Sequence, residues 1–287
     1  MSSSCNVGTA LAQGLQRLKA GGAPEGAASA ELDAGLLLAH VLGSTRAQLI
    51  AHAERTIDAA ALERFRALIE RRARGEPLAY LTGYREFWSL RLSVSPAVLV
   101  PRPETELLVE RALVLNPAAR TARVADLGTG CGAIALALAS ERPGWHVIGT
   151  DVSAAALAIA RSNAAALGLE RVEFRHGSWY QPLVGERYQV LLSNPPYVAA
   201  DDAALGMPPL VLEPRAALTD GADGLTHLRA IARGAPAHLY PGGWLLLEHA
   251  AAQAAEVRRE LVAAGFGSVR SHRDLAGHER MTEGLND

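Results

Sequence analysis

Between Arg123 and Ala264, short apolar runs alternate with longer stretches rich in alanine and leucine. Runs of strand length fall at Arg123–Asp126, His146–Asp151, Val172–His176, Gln189–Ser193 and Trp244–Glu248. Alternating with them, Cys131–Ser140, Ala154–Leu167, Leu225–Leu239 and Ala251–Ala264 have the spacing of helices. Strands separated by helices pair in parallel and are covered on both faces. The pattern therefore predicts a doubly wound α/β sheet, with Gly267–Asp274 and a short segment near Arg280 closing it as a terminal pair. In such a sheet ligands bind beyond the carboxyl ends of the strands. The residues that follow each apolar run are thus the place to look for chemistry.

The first run leads into Asp126-Leu127-Gly128-Thr129-Gly130-Cys131-Gly132, which opens a helix. Glycines at alternate positions let the backbone turn tightly and approach a ligand closely. The spacing G-x-G-x-G departs from the dinucleotide pattern G-x-G-x-x-G. Asp151 ends the next run, 19 residues after Gly132. A carboxylate there can accept from both ribose hydroxyls of an adenosine. Glycine turn and acid together point to nucleoside binding. The fourth run leads into Ser193-Asn194-Pro195-Pro196-Tyr197. Consecutive prolines stiffen the turn and remove two backbone donors, leaving carbonyl oxygens free to accept. The Asn194 side-chain oxygen adds an acceptor, and Tyr197 adds a flat face. This set suits a planar amino group, with both hydrogens held and its plane stacked.

Residues 1–80 read as a separate helical block. Leu11, Leu15 and Leu18 share one helix face, Glu31–Leu42 is a second helix with Gly43 as its cap, and Ala60–Arg74 is a third. Its Arg71, Arg72 and Arg74 read as a solvated helix end favoured by the dipole. Residues 81–105 read as a hairpin and linker, with a helix starting near Glu104, and residues 106–287 as the α/β domain. The helical block carries eight acids against nine bases, and the chain as a whole has a formal net charge of −2. Such a balance argues against a nucleic-acid or membrane-surface binder. Cys5 and Cys131 form no CxxC pair, and no H-x-x-x-H or carboxylate pair has metal-site spacing, so no metal is expected. Without a signal-peptide pattern or an apolar run of spanning length, a cytoplasmic protein is expected. His40, His146 and His176 read as core or strand-end residues; Glu248-His249, at a strand end in the layer of the site, reads as packing, with catalysis by the pair as the alternative.

The motifs D-L-G-T-G-C-G, Asp151 and N-P-P-Y resemble those of the S-adenosylmethionine-dependent amino methyltransferases. Pro77–Gly83, Arg85-Glu86-Phe87, Val100-Pro101-Arg102-Pro103-Glu104-Thr105-Glu106, Glu213-Pro214-Arg215 and Asp274–Gly277 extend the likeness over nearly the whole chain. Together they resemble the HemK/PrmC family of protein-(glutamine-N5) methyltransferases. That resemblance implies a Rossmann-like seven-stranded methyltransferase sheet with a small N-terminal helical domain for substrate recognition. It implies S-adenosyl-L-methionine as cofactor and S-adenosyl-L-homocysteine as product. The methyl would go to N5 of the glutamine in the GGQ motif of class-1 peptide-chain release factors, supporting translation termination. Gly128, Thr129, Gly130, Cys131 and Gly132 would cradle the methionine part, Asp151 the ribose, and Trp179 would lie against the adenine. Ser178 stands where the family often has an acid. Asn194, Pro195, Pro196 and Tyr197 would bind the substrate amide, with Asn194, Pro195 and Tyr197 catalytic and Asn194 also bordering the cofactor. Release factors would be the partners, with no direct nucleic acid and no membrane. Two competing readings are a nucleic-acid amino methyltransferase and a non-catalytic docking module. The charge balance weighs against the first and the intact motifs against the second.

Overall fold

In the computed structural model, which describes residues 5–21, 26–116 and 121–287, the chain divides into two units. One comprises Met1–Gly83 with Gly206–Leu212, the other Tyr84–Leu205 with Glu213–Asp287. The first is helical: α1 (Val7–Ala20), α2 (Gly26–Leu42), α3 (Arg46–Ala51), α4 (Ala59–Ala73) and α5 (Leu78–Thr82). Polar side chains start α1, α3 and α4. The Asn6 side chain accepts from Thr9 N, the Asp58 side chain from Ala61 N, and Thr45 and Gln48 form a reciprocal capping box. Leu18, Leu37, Leu38, Phe65 and Ile69 form the core. At Gly14 an added Cβ would lie 2.7 Å from the Phe65 ring, so glycine lets α1 and α4 approach. Arg72 is not the solvated residue the sequence suggested. It is buried, with Nε 2.6 Å from Asp33 Oδ2 on α2. Arg71, one position earlier, pairs with Glu76. Successive helix residues point about 100° apart, so one arginine of the cluster faces α2 while its neighbour faces outward. His40 also differs from expectation, being exposed on α2.

The second unit opens with a hairpin, β1 (Tyr84–Phe87) and β2 (Leu90–Ser93). Its two turn residues, Trp88 and Ser89, both have positive φ, at 51° and 58°. That is the turn whose twist matches paired strands. A single 3-10 turn, Pro103–Thr105, precedes α6 (Glu106–Leu115). Then follow β3 (Arg123–Leu127), α7 (Ala133–Glu141), β4 (His146–Asp151), α8 (Ala154–Leu167), β5 (Glu173–His176) and β6 (Tyr188–Ser193). The chain ends with α9 (Thr226–His238), β7 (Leu239–Glu248), α10 (Ala254–Ala263), β8 (Phe266–Arg273) and β9 (Glu279–Asn286). The seven-stranded sheet has the order β5-β4-β3-β6-β7-β9-β8. Strands β3 to β7 run parallel, and β9 is antiparallel to both β7 and β8, the terminal pair expected from the sequence. Ala133 to Ala139 of α7 are all buried, which explains the lack of a polar face in that stretch. No helix among the described residues is long and apolar enough to cross a membrane.

Candidate active site

The chain switches direction across the sheet between β3 and β6, which lie side by side although β4 and β5 separate them in sequence. Register then brings the motifs together. Leu127 is opposite Ser193 and Thr150, so the glycine turn, the Asn194 segment and Asp151 leave three adjacent strands at one level. Asp151 is opposite His176, which places Gly177 to Trp179 beside it. Ser193 is opposite Leu247, which sets Glu248 at the same edge. The Ser193 hydroxyl also donates to Leu127 O at 2.6 Å, fixing the two central loops to each other.

Gly128, Gly130 and Gly132 adopt φ of 77°, 56° and 88°, all in the left-handed region. A side chain at these positions would be strained. A Cβ on Gly128 would lie 3.3 Å from the Trp179 ring, and one on Gly132 would crowd Leu136, Ala160 and Phe174. The turn is pinned by bonds from Gly128 N and Thr129 N to Thr150 O. The Thr129 hydroxyl donates to buried Asp126 at 2.6 Å. Burial pushes Asp126 up to about 7, while the Thr129 hydroxyl pulls it down. The Cys131 thiol is buried and pushed up to about 12. It is a packing group, and the residue's carbonyl accepts from Asn163 Nδ2 at 2.9 Å. Asp151 is half-buried; Oδ2 accepts from Gly130 N at 2.9 Å and Oδ1 from Ser153 N at 2.8 Å. Each oxygen keeps a further lone pair for a ligand. Trp179 itself has φ 45°. The Thr150 hydroxyl bonds its carbonyl, and its ring packs on His227 at 5.2 Å. A glycine-walled cradle bounded by an aromatic face and a carboxylate fits a nucleoside carrying a small charged tail.

Across the crevice, Asn194 Nδ2 donates to Thr105 Oγ1 at 3.1 Å, leaving Oδ1 with no partner among the described residues. Pro195 is buried, and Pro196 and Tyr197 are half-buried. The Tyr197 hydroxyl donates to Glu248 Oε1 at 3.2 Å, and its carbonyl accepts from Gln253 Nε2 at 2.9 Å. Burial and the nearby Glu248 charge hold the Tyr197 hydroxyl well above its ordinary pKa, so it stays a donor. Burial pushes Glu248 up to about 7, against the pull of the Thr105 and Tyr197 hydroxyls. His249 is buried; its ring bonds Thr282 Oγ1 at 2.7 Å and Ala250 O at 3.0 Å. Burial lowers its pKa, so it packs as a neutral ring. His146 and His176 lie at strand ends, bonded to Glu173 and to Val152 O. Thr105 and Glu213 are residues to which sequence reasoning gave no individual role, and Glu248, read chiefly as packing, meets the Tyr197 hydroxyl at the site. The signal lay only in the segments R-P-E-T-E and E-P-R, whose partners are distant in sequence.

Residues 9–83 match the PrmC N-terminal domain family, and residues 103–274 match the methyltransferase small domain family. A release factor glutamine methyltransferase of Xylella fastidiosa (strain Temecula1) is 54% identical over 253 residues, covering 88% of this chain and 92% of the relative. The chain belongs to the release factor glutamine methyltransferase family. Relatives of the same name from Burkholderia pseudomallei and Pseudomonas aeruginosa are 51% and 49% identical, each covering more than four-fifths of both chains. Among solved structures, the hMettl16 catalytic domain superposes with a TM-score of 0.58 at 16% identity, covering 81% of this chain and 85% of that one. A T. thermophilus 16S rRNA N2 G1207 methyltransferase gives 0.54 at 22% identity, with coverage of 71% and 50%. These two likenesses are of fold, a Rossmann-like methyltransferase sheet. Membership in this family makes the protein an S-adenosylmethionine-dependent methyltransferase.

Proposed function

We propose that this chain methylates N5 of the glutamine in the GGQ motif of class-1 peptide-chain release factors and so supports translation termination. The observation that carries the reading is the Asn194 amide. Its nitrogen is taken by Thr105, and its oxygen is presented at the carboxyl end of β6, beside the glycine turn. Gly128, Thr129, Gly130, Cys131 and Gly132 hold the methionine part of the cofactor, Asp151 the ribose, and Trp179 the adenine. Bound there, S-adenosylmethionine supplies a strongly electrophilic methyl group.

An amide nitrogen is a poor nucleophile because its lone pair is delocalised into the carbonyl. Asn194 Oδ1 and the Pro195 carbonyl accept from its two N–H groups and orient the nitrogen. Tyr197 and Pro196 confine the amide plane and exclude water. Alignment of this kind contributes several kcal/mol to many reactions. Positive charge grows on the nitrogen during transfer, so the two acceptors hold its hydrogens more tightly in the transition state than before it. Residues 1–80 act in substrate recognition, residues 81–105 as hairpin and linker, and residues 106–287 in catalysis. Nucleic acid takes no direct part, in keeping with a net charge of −2.

The test is incubation of the purified chain with methyl-labelled cofactor and purified release factor, followed by peptide mapping. The label is expected on the glutamine of the GGQ loop. Label on another residue, or on nucleic acid but not on the factor, would overturn the proposal.

A further inference from the structure

Asn194 can serve an incoming amino group only if its side-chain oxygen, not its nitrogen, faces the substrate. An amide is nearly symmetric in shape, so packing does not choose between the two orientations. The choice needs a neighbour of fixed polarity. Thr105 Oγ1 is that neighbour at 3.1 Å, but a hydroxyl can donate or accept. What fixes the hydroxyl is where its single proton goes.

The buried carboxyl of Glu248 lies close enough to Thr105 for its hydroxyl to act on it. Its Oε1 takes the Tyr197 hydroxyl at 3.2 Å. Its Oε2 is buried with no partner at hydrogen-bonding geometry among the described residues. The Thr105 hydroxyl is, with Tyr197, the donor that bears on this carboxylate. An ionised carboxylate only accepts. A Thr105 proton drawn toward that carboxylate leaves the hydroxyl lone pair for Asn194 Nδ2. Thr105 is itself held tightly. Its backbone N–H donates to Arg102 O at 3.2 Å. The preceding segment is clamped by buried Glu213, which takes Val100 N at 3.0 Å and the Arg102 guanidinium. On the other side Glu106 accepts from Trp88 N at 2.8 Å.

We propose that Thr105 and Glu248 are positioning residues that set the polarity of the Asn194 amide, keeping Oδ1 toward the substrate. The proposal rests on the reading of Asn194 as the amide-binding residue. Protonated Glu248 can donate instead of accept, which frees Thr105 to donate to Asn194 and turns the amide nitrogen toward the substrate. The charged groups bearing on Glu248 are Glu104, which favours its protonated form, and Arg280, which favours the ionised one. Its pKa of about 7 puts the change within reach of ordinary assay conditions.

The experiment is single-turnover methylation of intact release factor at saturating cofactor from pH 6 to 8.5, with cofactor affinity measured by calorimetry. Thr105→Val keeps the shape and removes the hydroxyl. It should lower the rate at pH 8.5 roughly ten- to a hundred-fold, with KM for the factor and cofactor affinity within about three-fold. Thr105→Ser restores the hydroxyl and should recover most of the rate. The wild-type rate should fall on acidification, and the fall should be absent in Thr105→Val and in Glu248→Gln. A Thr105→Val rate within about three-fold of wild type overturns the proposal. So does a defect that Thr105→Ser shares, or one that lies in cofactor affinity. Asn194→Ala run alongside separates the two readings. If it is nearly as active as wild type, the amide-binding role itself fails. If it is inactive while Thr105→Val is not, only the positioning role fails.

Discussion

In the proposed function Asp151 and Asn194 carry opposite halves of the site, and their substitutions should separate binding from chemistry. Asp151→Ala removes a carboxylate that already organises Gly130 N and Ser153 N and has lone pairs left for a ribose. Loss of charge-assisted bonds worth about 1.5–3 kcal/mol should weaken S-adenosylmethionine binding roughly ten- to a hundred-fold in titration calorimetry. An unchanged affinity would place the ribose elsewhere. Asn194→Ala removes an acceptor whose bond strengthens as charge appears on the amide nitrogen. Single-turnover rate should drop about a hundred-fold or more, as for loss of one oxyanion-hole donor. Cofactor affinity should move by less than about ten-fold, because most of the cradle lies elsewhere. Both residues were legible in the sequence because each sits in a contiguous motif whose chemistry is local. Thr105 and Glu248 were not legible as partners. Thr105 meets Asn194 from 89 positions away, and only the register of β6 against β7 brings Glu248 to the same edge.

Among the elements, β4 and α8 fall where periodicity placed them, His146–Asp151 and Ala154–Leu167. For α8 a polar and a flexible residue mark the ends: Ser153 caps it and Gly168 ends it in the left-handed region. β7 was read too short. It begins at Leu239, before Pro241, Gly242 and Gly243, which in a sequence read as a turn. There Tyr188 is opposite Leu239 but Val190 is opposite Trp244, so an irregularity absorbs the proline and glycines. The 3-10 turn Pro103–Thr105 also matters more than its length suggests, because Glu213 fixes the segment before it. Glu213→Ala would strand buried Val100 N and leave the Arg102 guanidinium, itself partly exposed, without its fully buried partner. Removing one member of a buried charged pair costs about 3–5 kcal/mol, and urea unfolding should show a loss of that order. Methyl transfer should fall as well, since Thr105 loses its anchorage. A variant with unchanged unfolding midpoint would mean that the clamp contributes nothing to the fold.

At the scale of the whole molecule, charge shapes both partner choice and pH response. Two of the solved structures that share this sheet act on or were seen with RNA, by their descriptions. This chain has 28 basic and 30 acidic residues. Its binding to duplex or single-stranded nucleic acid should therefore be weak and lack the steep salt dependence of phosphate neutralisation; a titration in low and moderate salt checks this. The pH response follows from buried carboxyls. Glu283, paired with Arg111 and Arg270, is held below its ordinary pKa. Its contribution is present above that ordinary value and is lost as pH falls through the lowered one. Asp126 and Glu248 behave oppositely, since burial raises both to about 7. Between about pH 4 and 7 the folded chain holds protons at these two sites that the unfolded chain has released, so stability falls as pH rises through that window. The penalty is on the order of 3 kcal/mol for each carboxyl once ionised. Asp126→Asn cannot ionise, and denaturant unfolding at pH 5 and pH 8 should show a smaller drop for it than for wild type. Equal drops would mean that Asp126 is ionised in the fold at little cost. For Glu248 the same linkage sets stability against function. In the positioning role proposed for Thr105, the ionised form that keeps it accepting from Asn194 is the form that burial opposes, so Glu248 destabilises the fold most in the pH range where the acceptor points the right way.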